Sequence, residues 1–164
     1  MIDYTSQINL NRKLSKMKTD IFKFVAELAQ KDAPDNREGL LLVVGNFAHS
    51  DYKLEKFVQL GTNDLEGHPV VYGTKAFKEA IEKFRFVDGA FVLDSSSGQL
   101  LGNRVLYIGL KQDVEEDRGA RHHAAASASL DPHIDFVVTV SEEDGATRLY
   151  VGGKVEEQQD IITE

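Results

Sequence analysis

The sequence predicts a single α/β domain in which helices flank a central mixed β-sheet. The chain has 164 residues, of which 41% are hydrophobic and 28% are charged, a size and balance typical of one compact core. Apolar runs of strand length alternate with helical patterns of apolar residues. Two predicted strand pairs are joined by short polar turns, so we expect antiparallel hairpins and a mixed rather than a purely parallel sheet.

The chain begins with a predicted amphipathic helix. Apolar residues from Leu10 to Leu28 recur at steps of three and four, with mostly charged residues between them. The pattern ends before the loop 33–36, where Pro34 breaks the helix. We therefore expect residues 1–36 to form an N-terminal helix and linker. The pattern leaves open whether this helix packs on its own domain or on another subunit.

The next segment contains a predicted strand, a polar stretch and a second helix. The apolar run Leu40–Val44 is typical of a buried strand and is closed by Gly45. Short helical turns are expected within residues 51–60, and residues 67–73 are expected to form a loop. Thr74 can cap the following helix. The apolar face of that helix comprises Phe77, Ala80, Ile81 and Phe84.

Two hairpins and one helix complete the predicted domain. Residues 91–93 and 99–110 are expected to pair around a polar turn. A run of alanines and serines up to Leu130 favours a helix that lies close to the sheet. Residues 135–140 and 148–151 form the second predicted hairpin.

The end of the chain is predicted to fray. Residues 156–164 are mostly polar and acidic, as expected for a tail. This leaves residues 37–155 as the predicted domain.

Composition excludes several classes of function. Acidic residues number 27 and basic residues 19, a formal charge of −8, which argues against duplex nucleic acid or an anionic membrane as a partner. A small anionic ligand can still bind in a locally basic pocket. The chain contains no cysteine, which excludes disulfides and thiolate chemistry and fits a cytoplasmic location. The apolar runs are too short to span a membrane, and the polar N-terminus predicts no signal peptide.

Three short motifs carry the candidate chemistry. The first is Asp88-Gly89-Ala90, the second lies within residues 119–125 and contains Arg121 and His122, and the third is the acidic turn 141–145. Taken alone, an aspartate before glycine usually serves a turn, and an acidic hairpin loop is usually only solvated. The Arg-His pair at a helix start suits phosphate. It equally suits an arginine that pairs with a surface carboxylate and histidines that cap the helix.

Together and in this order, the motifs resemble those of the diadenylate cyclase domain family. The shared pattern is Asp-Gly-Ala, then Arg-His followed by alanines, then Ser-Glu-Glu before a terminal strand, and it covers residues 39–154. The chain is most similar to the archaeal-type branch. That similarity is carried by Val43-Val44-Gly45, Gly67-His68-Pro69, Asp88-Gly89-Ala90-Phe91-Val92 and Gly119-Ala120-Arg121-His122-His123.

The chain departs from many bacterial members at two positions. Ala120 stands where they have threonine, and His123 stands where they have a second arginine. One hydroxyl and one fixed positive charge are therefore missing. Phosphate contacts would be weaker here or supplied by other residues, such as Arg118 or Arg148.

The resemblance implies a reaction and a partner. Members of the family condense two ATP molecules into cyclic di-AMP and release two pyrophosphates, with a divalent metal ion, Mn²⁺ or Mg²⁺. They do so across a face-to-face dimer, so self-association into a dimer or higher oligomer is expected to be needed for turnover. Positioning and neutralisation of phosphate charge do most of the work in such a transfer.

The resemblance also implies roles for individual residues. Asp88 is expected to bind the metal and activate the attacking 3′-hydroxyl, and Glu143 to be a second metal contact. Arg121 and His122 are expected to be catalytic and to contact the phosphates. The remaining expected ATP contacts are Gly89, Ala90, Tyr107, Gly119, Ala120 and Ser141.

One of these expectations is weighed against a simpler interpretation. Tyr107 is assigned to a place beside adenine, and an ordinary half-buried strand aromatic is at least as consistent with its position. The other histidines, His49, His68 and His133, are expected to be structural.

Two alternative functions stay open at this stage. One is a catalytically inactive module of the same fold that binds ATP or cyclic di-AMP, suggested by Ala120 and His123. The other is a generic interaction domain whose acidic surface and N-terminal helix recruit partners. Three ordered motifs favour the enzyme over both.

Overall fold

A computed structural model describes residues 3–32, 34–47, 56–67, 69–110 and 120–162. The helices and strands in this part of the chain are α1 (Tyr4–Lys31), β1 (Leu40–Gly45), β2 (Phe57–Gln59), α2 (Lys75–Phe84), β3 (Ala90–Asp94), β4 (Leu100–Tyr107), α3 (Ala120–Ser129), β5 (Ile134–Val140), β6 (Thr147–Val151) and β7 (Lys154–Gln159).

The strands form one mixed sheet in the order β2-β4-β3-β1-β5-β6-β7. Among the described strands, only β1 and β3 pair in parallel, and every other neighbouring pair is antiparallel. The predicted mixed α/β architecture is confirmed. The two predicted hairpins are β3–β4 and β5–β6, which place antiparallel ribbons on both sides of the central parallel pair.

Helices cover both faces of the sheet. On one face, α1 and α2 pack against a core that includes Leu42, Phe91 and Phe136. On the other face, α3 packs mainly against β5. Its alanines at 125, 126 and 128 are at most 1% exposed. Because these side chains are small, the helix axis can approach the strands closely, as its composition predicts.

Helix α1 has two halves with different surroundings. From Met17 onward its apolar residues are buried against the sheet, whereas Tyr4, Ile8 and Leu10 in the first half are exposed. Asp32, just past the end of α1, forms a buried ion pair with Arg85 at the end of α2. The second half of α1 is therefore part of the domain's own core. None of the helices in the described segments is long and apolar enough to cross a membrane.

Two sequence-based predictions about secondary structure were wrong. Within 51–60, where helical turns were expected, Phe57–Gln59 is strand β2 and pairs with β4; residues 51–55 lie outside the described part. Phe57 packs on Tyr107 with ring centroids 5.1 Å apart, so a cross-strand aromatic pair outweighs the local pattern.

The predicted frayed tail is the second correction. Lys154–Gln159 forms β7, which pairs with β6 along its whole length. Its side chains are largely exposed. A strand at the edge of a sheet needs no apolar face, because its backbone bonds alone can attach it to its neighbour.

Candidate active site

The described parts of all three motifs lie at one end of the sheet. Strands β1 and β3 begin side by side there, and Leu42 pairs with Phe91. Three residues before each of these, the same register places Gly39 opposite Asp88. Leu40 pairs with Val140, the last residue of β5, so Ser141 leaves the sheet at the same end. Because neighbouring strands lie about 4.8 Å apart, three strands bring these segments together. We call this the site end of the sheet.

The site end differs from the arrangement most common in α/β sheets. Ligands usually bind beyond the carboxyl ends of parallel strands. Here the parallel strands β1 and β3 start at the site end, and Asp88 precedes the first residue of β3. The carboxyl end that contributes is that of β5, which runs antiparallel to β1.

Arg121 connects the second motif to the third. It lies in the first turn of α3, and its guanidinium rests directly on Gly39, where any Cβ would collide with it. Its Nη2 donates to Glu142 Oε1 at 2.8 Å. Arg121 thus pairs with a carboxylate, as one of the two sequence-based interpretations predicted, but the carboxylate belongs to the acidic motif itself.

A cavity of about 550 Å³ opens between the start of α3 and the acidic turn. Its lining combines charged and hydroxyl groups and includes Ala120, Arg121, His122, Ser141, Glu143 and Arg148. The N-terminal backbone of α3 faces this space, and a helix N-terminus carries partial positive charge. The cavity therefore offers two guanidinium groups, an imidazole and a helix start to an anionic ligand. The carboxylates of Glu142, Glu143 and Asp144 line it as well, and Glu142 and Asp144 pair with the two guanidinium groups.

A buried tyrosine on the sheet side of α3 holds the His122 imidazole in place. Its Nδ1 shares a hydrogen bond with the hydroxyl of Tyr150 on β6. The two rings meet edge to face with centroids 5.1 Å apart. Tyr150 is 1% exposed, so the orientation of the imidazole is set by a residue fixed in the core.

The acidic turn is held by hydrogen bonds within the turn and by one from Arg37. The Ser141 hydroxyl accepts a hydrogen bond from the backbone N–H of Glu143 at 3.2 Å. Arg37 Nη1 donates to the carbonyl oxygen of Glu143 at 2.8 Å. Gly145 closes the turn with φ of 73°, a conformation that suits glycine. The turn therefore presents Glu142 and Glu143 on a fixed backbone.

Asp144 in this turn is stabilised as a carboxylate. Partial burial alone would raise its pKa, but hydrogen bonds from the Ala146 N–H and from Ser141, together with Arg148, hold the pKa below its ordinary value. Arg148 Nη2 lies 3.4 Å from Asp144 Oδ2. This pair holds Arg148 at the wall of the cavity.

The Asp-Gly-Ala motif lies beside this cavity and does not line it. Asp88 is exposed. Gly89 has φ of 107°, and a Cβ there would lie 2.6 Å from the Cα of Arg104, so both conformation and close packing require glycine. Ala90 is fully buried. Of these two residues, both predicted to contact ATP, only Gly89 is at the surface.

Tyr107 packs in the core. It is 3% exposed, and burial raises the pKa of its hydroxyl. Within the described residues this hydroxyl has no hydrogen-bond partner. Its ring contacts Phe57 and does not line the cavity, so its role beside adenine stays a prediction.

The remaining sequence predictions fall in two groups. Gly119, Arg118, His49 and His68 lie outside the described residues. His133 is at the opposite end of the sheet, where its backbone N–H donates to Asp131 at 3.0 Å. That position fits the structural role expected for His133.

The described residues do not build a metal site from protein ligands alone. Among them, no group of three or more histidine, aspartate or glutamate side chains is arranged to hold an ion. Asp88 is exposed beside β3, and Glu143 lies on the acidic turn. Mg²⁺ commonly uses only one or two carboxylates together with substrate phosphates, so these two residues fit an ion that arrives with a nucleotide.

Sequence reasoning missed four contributors to this site. They are Arg37, Gly39, Glu142 as the partner of Arg121, and Tyr150. Arg37 and Gly39 lie between the predicted loop 33–36 and the predicted strand at Leu40, and nothing in their spacing indicated that they touch residues more than 80 positions later. Tyr150 had a weak signal, because a tyrosine in a buried strand needs a partner for its hydroxyl.

Comparisons with known proteins agree with the order of the motifs. The DAC family model, described as DisA bacterial checkpoint controller nucleotide-binding, matches residues 27–155. A diadenylate cyclase of Haloferax volcanii is 29% identical over 137 residues, which are 83% of this chain and 49% of that protein. A diadenylate cyclase of Methanocaldococcus jannaschii is 26% identical over 146 residues, 89% of this chain and 46% of that protein. The chain thus spans about half the length of these relatives.

Two solved structures share the fold. One is a hypothetical membrane-spanning protein from Bacillus cereus, with TM-score 0.54 and 21% identity. The match covers 86% of this chain and 61% of the Bacillus cereus chain. The other is a double mutant of DacA from Staphylococcus aureus, with TM-score 0.51 and 20% identity, covering 91% of this chain and 88% of its own. At these identities the likeness concerns the fold alone.

Proposed function

This chain belongs to the DAC family of nucleotide-binding domains, and on that premise we propose that it is a diadenylate cyclase, a nucleotidyltransferase that converts two ATP molecules into cyclic di-AMP and two pyrophosphates. One observation carries the proposal. Arg121 and His122 at the start of α3 face the Ser-Glu-Glu turn across a cavity of about 550 Å³. Asp88 lies at the same end of the sheet, just before β3, and β1 separates β3 from β5. Two archaeal relatives that bear the name diadenylate cyclase support it.

The cavity binds the triphosphate of ATP in this proposal. Arg121 and Arg148 supply positive charge, the α3 N-terminus supplies backbone N–H groups, and Ser141 supplies a hydroxyl. Ala120 places only a methyl group at the helix start, so a phosphate can approach the backbone there, and Gly119 is proposed as a further ATP contact. The guanidinium of Arg121 carries the largest share, because it is aligned on Gly39 and on the carboxylate of Glu142.

Glu142 is exchanged for phosphate when ATP binds. Its side chain is 59% exposed and contacts Arg121 through one ion pair at 2.8 Å. An exposed ion pair contributes only about 0–1 kcal/mol, so a triphosphate of higher charge can take its place. In the absence of nucleotide, Glu142 keeps the guanidinium oriented.

The chemical step joins the 3′-oxygen of one ATP to the α-phosphorus of another. The bond from that phosphorus to the bridging oxygen breaks, pyrophosphate leaves, and Asp88 accepts the proton of the 3′-hydroxyl. The same step in the opposite sense closes the ring. Gly89 lets the nucleotide lie against the backbone beside Asp88, and Tyr107 is assigned to the adenine side.

A divalent ion, Mn²⁺ or Mg²⁺, is proposed to accompany the ATP phosphates, with Asp88 and Glu143 as its protein contacts. When bound, such an ion neutralises charge that develops on the transferring phosphoryl group. The protein's own contribution is to hold the phosphates and orient the hydroxyl.

Turnover is proposed to need two copies of the chain. Within its described residues, each copy presents one cavity lined by Arg121 and His122 with one Asp88 beside it, whereas the product contains two adenylates joined through two bonds. Two site ends that face each other would bring each 3′-hydroxyl to the other α-phosphorus. Self-association is then a condition of product formation but not of ATP binding.

A second candidate function rests on the position of Asp88. Because Asp88 does not line the cavity, and because Ala120 and His123 remove two phosphate contacts, a module that binds ATP or cyclic di-AMP without turnover is the alternative. Such a module would show nucleotide binding and no product at any protein concentration.

The test is incubation of the purified protein with ATP and either Mn²⁺ or Mg²⁺, with chromatography and mass detection of the nucleotides. Cyclic di-AMP formed at a rate that rises more steeply than protein concentration is the expected result. Intact ATP at high protein concentration, with ATP binding still measurable by calorimetry, would favour the binding module.

A further inference from the structure

Tyr150 belongs to no motif of the family resemblance, yet its hydroxyl reaches the site. The residue lies on β6, where it pairs with Val137 of β5, and its ring packs in the core beneath α3 with Ala125 and Ala126. A phenylalanine would fill this space equally well. The hydroxyl of a residue that is 1% exposed requires a hydrogen-bond partner, and that partner is His122 Nδ1.

The chemistry of the two groups favours one direction for this hydrogen bond. Tyrosine has an ordinary pKa near 10, so near neutral pH it carries its proton and is a good donor. A neutral imidazole has one nitrogen that accepts and one that donates. If Tyr150 donates to Nδ1, the imidazole proton resides on Nε2.

This tautomer has a consequence at the cavity that His122 lines. An imidazole with its proton on Nε2 offers an N–H to a phosphate oxygen there, whereas the opposite tautomer would offer a lone pair suited to a metal ion. The rigid core position of Tyr150 also fixes the ring plane, with centroids 5.1 Å apart.

We propose that Tyr150 is a positioning residue that holds His122 in the Nε2–H tautomer, so that His122 serves as a hydrogen-bond donor to the phosphates and not as a metal ligand. The consequence for ATP rests on the proposed function. The tautomer itself does not, because it is a property of the protein without nucleotide.

The first test measures the tautomer in the nucleotide-free protein. Two-bond ¹H–¹⁵N correlation spectra at pH 8 distinguish the two neutral forms, and the signals of His122 are assigned by their loss in His122→Gln. The parent protein is expected to show Nε2–H as the dominant form. A dominant Nδ1–H form in the parent would overturn the proposal without any variant of Tyr150.

The second test removes only the hydroxyl. In Tyr150→Phe, His122 should populate both neutral tautomers, and the KM for ATP should rise about 3- to 10-fold with a smaller change in kcat. Tyr72→Phe is the matched control, because the Tyr72 hydroxyl bonds Asp20 on the α1 side of the sheet, 2.7 Å away. His122 signals in Tyr150→Phe identical to those of the parent would overturn the inference.

The two proposals fail in different ways. If the protein makes no cyclic di-AMP but His122 changes its tautomer in Tyr150→Phe, the proposed function is wrong and the positioning role stands. If cyclic di-AMP forms and the His122 signals are the same in Tyr150→Phe as in the parent protein, the positioning role is wrong and the proposed function stands.

Discussion

Carboxylates gather at both ends of the sheet, but their surroundings differ. At the end opposite the site, Asp94 is 6% exposed and accepts hydrogen bonds from the backbone N–H groups of Phe47 and Ser97 and from the hydroxyls of Ser96 and Ser97. At the site end, Glu142 is mostly exposed and its one described ion pair is with Arg121. The first carboxylate is saturated by its own chain, whereas the second can exchange its partner for a ligand.

The number of hydrogen bonds that a carboxylate already accepts distinguishes a structural turn from a candidate binding turn better than its residue types do. Asp94-Ser-Ser-Ser-Gly and Ser-Glu-Glu-Asp-Gly are both polar turns that follow a buried strand. The saturated turn closes the β3–β4 hairpin, and a ligand could enter it only by breaking bonds that the fold requires. The acidic turn keeps its backbone bonded through Ser141 and Arg37 while its side chains stay accessible. Four predictions could break or sharpen this comparison.

The largest expected effect is on catalysis. Asp88→Asn keeps the shape of an exposed side chain and removes its charge and its capacity to take a proton, so product formation should fall by at least about 100-fold while the melting temperature stays at the parent value. The measurement is the rate of cyclic di-AMP formation beside a thermal unfolding curve. Turnover at the parent rate would show that Asp88 has no catalytic role.

The next effect is on stability at the far end. Asp94→Ala removes the acceptor of the buried Phe47 N–H and of the Ser97 N–H, which should lower the free energy of unfolding by about 2–4 kcal/mol. Chemical denaturation measures this loss. The matched substitution Glu142→Ala at the site end should change stability by less than about 1 kcal/mol. Equal losses in the two variants would contradict the distinction drawn here.

Acid should affect the two ends unequally as well. Hydrogen bonds from Ser97, Phe47 and Ser96 outweigh the opposing effect of burial and hold the pKa of Asp94 below its ordinary value. The carboxylate therefore stabilises the fold above that ordinary value, and this contribution is lost as pH falls through the lowered folded pKa. Asp94→Asn should remove this part of the acid sensitivity, which unfolding curves between about pH 3 and 7 would measure. An unchanged slope below pH 4 would contradict the assignment.

The last prediction concerns ATP affinity. Arg121→Ala should weaken ATP binding by about 1.5–3 kcal/mol, roughly 10- to 150-fold, because the phosphate loses a charge-assisted partner. Glu142→Gln should act in the opposite sense and strengthen binding a few-fold, since the guanidinium no longer needs to be released. Calorimetry measures both, with Lys75→Ala, an exposed partner of Glu79, as the control. Unchanged affinity in Arg121→Ala would move the phosphate site elsewhere.

Much of this fold followed from local pattern, and the exceptions have a common cause. The amphipathic helix α2, with its Thr74 cap accepting from the Phe77 N–H, and the apolar strands β1, β3 and β5 were predicted because their own residues determine them. β2 and β7 were not, because each exists only through a neighbour: Phe57 needs Tyr107, and the polar residues 154–159 need the open edge of β6.

The same limit applies to the candidate site. Arg121 and the Ser-Glu-Glu turn were identified from sequence because a motif keeps its residues close in the chain. Gly39 could not be identified, because its role is to leave room for the guanidinium of Arg121, which lies more than 80 residues later in the chain. The burial of Ala90 was equally hidden, because one residue's shift between loop and strand decides whether the side chain faces solvent or core.

Strand β7 bears on how two copies can meet. It closes one side of the sheet with a row of charged and amide side chains, four of its six residues being Glu156, Glu157, Gln158 and Gln159. Two such rows laid side by side would set like charges against each other, so growth of one sheet into the next is disfavoured at this side. A protein proposed to work only by meeting its own copy therefore has, at β7, an edge that disfavours strand-to-strand growth into fibres.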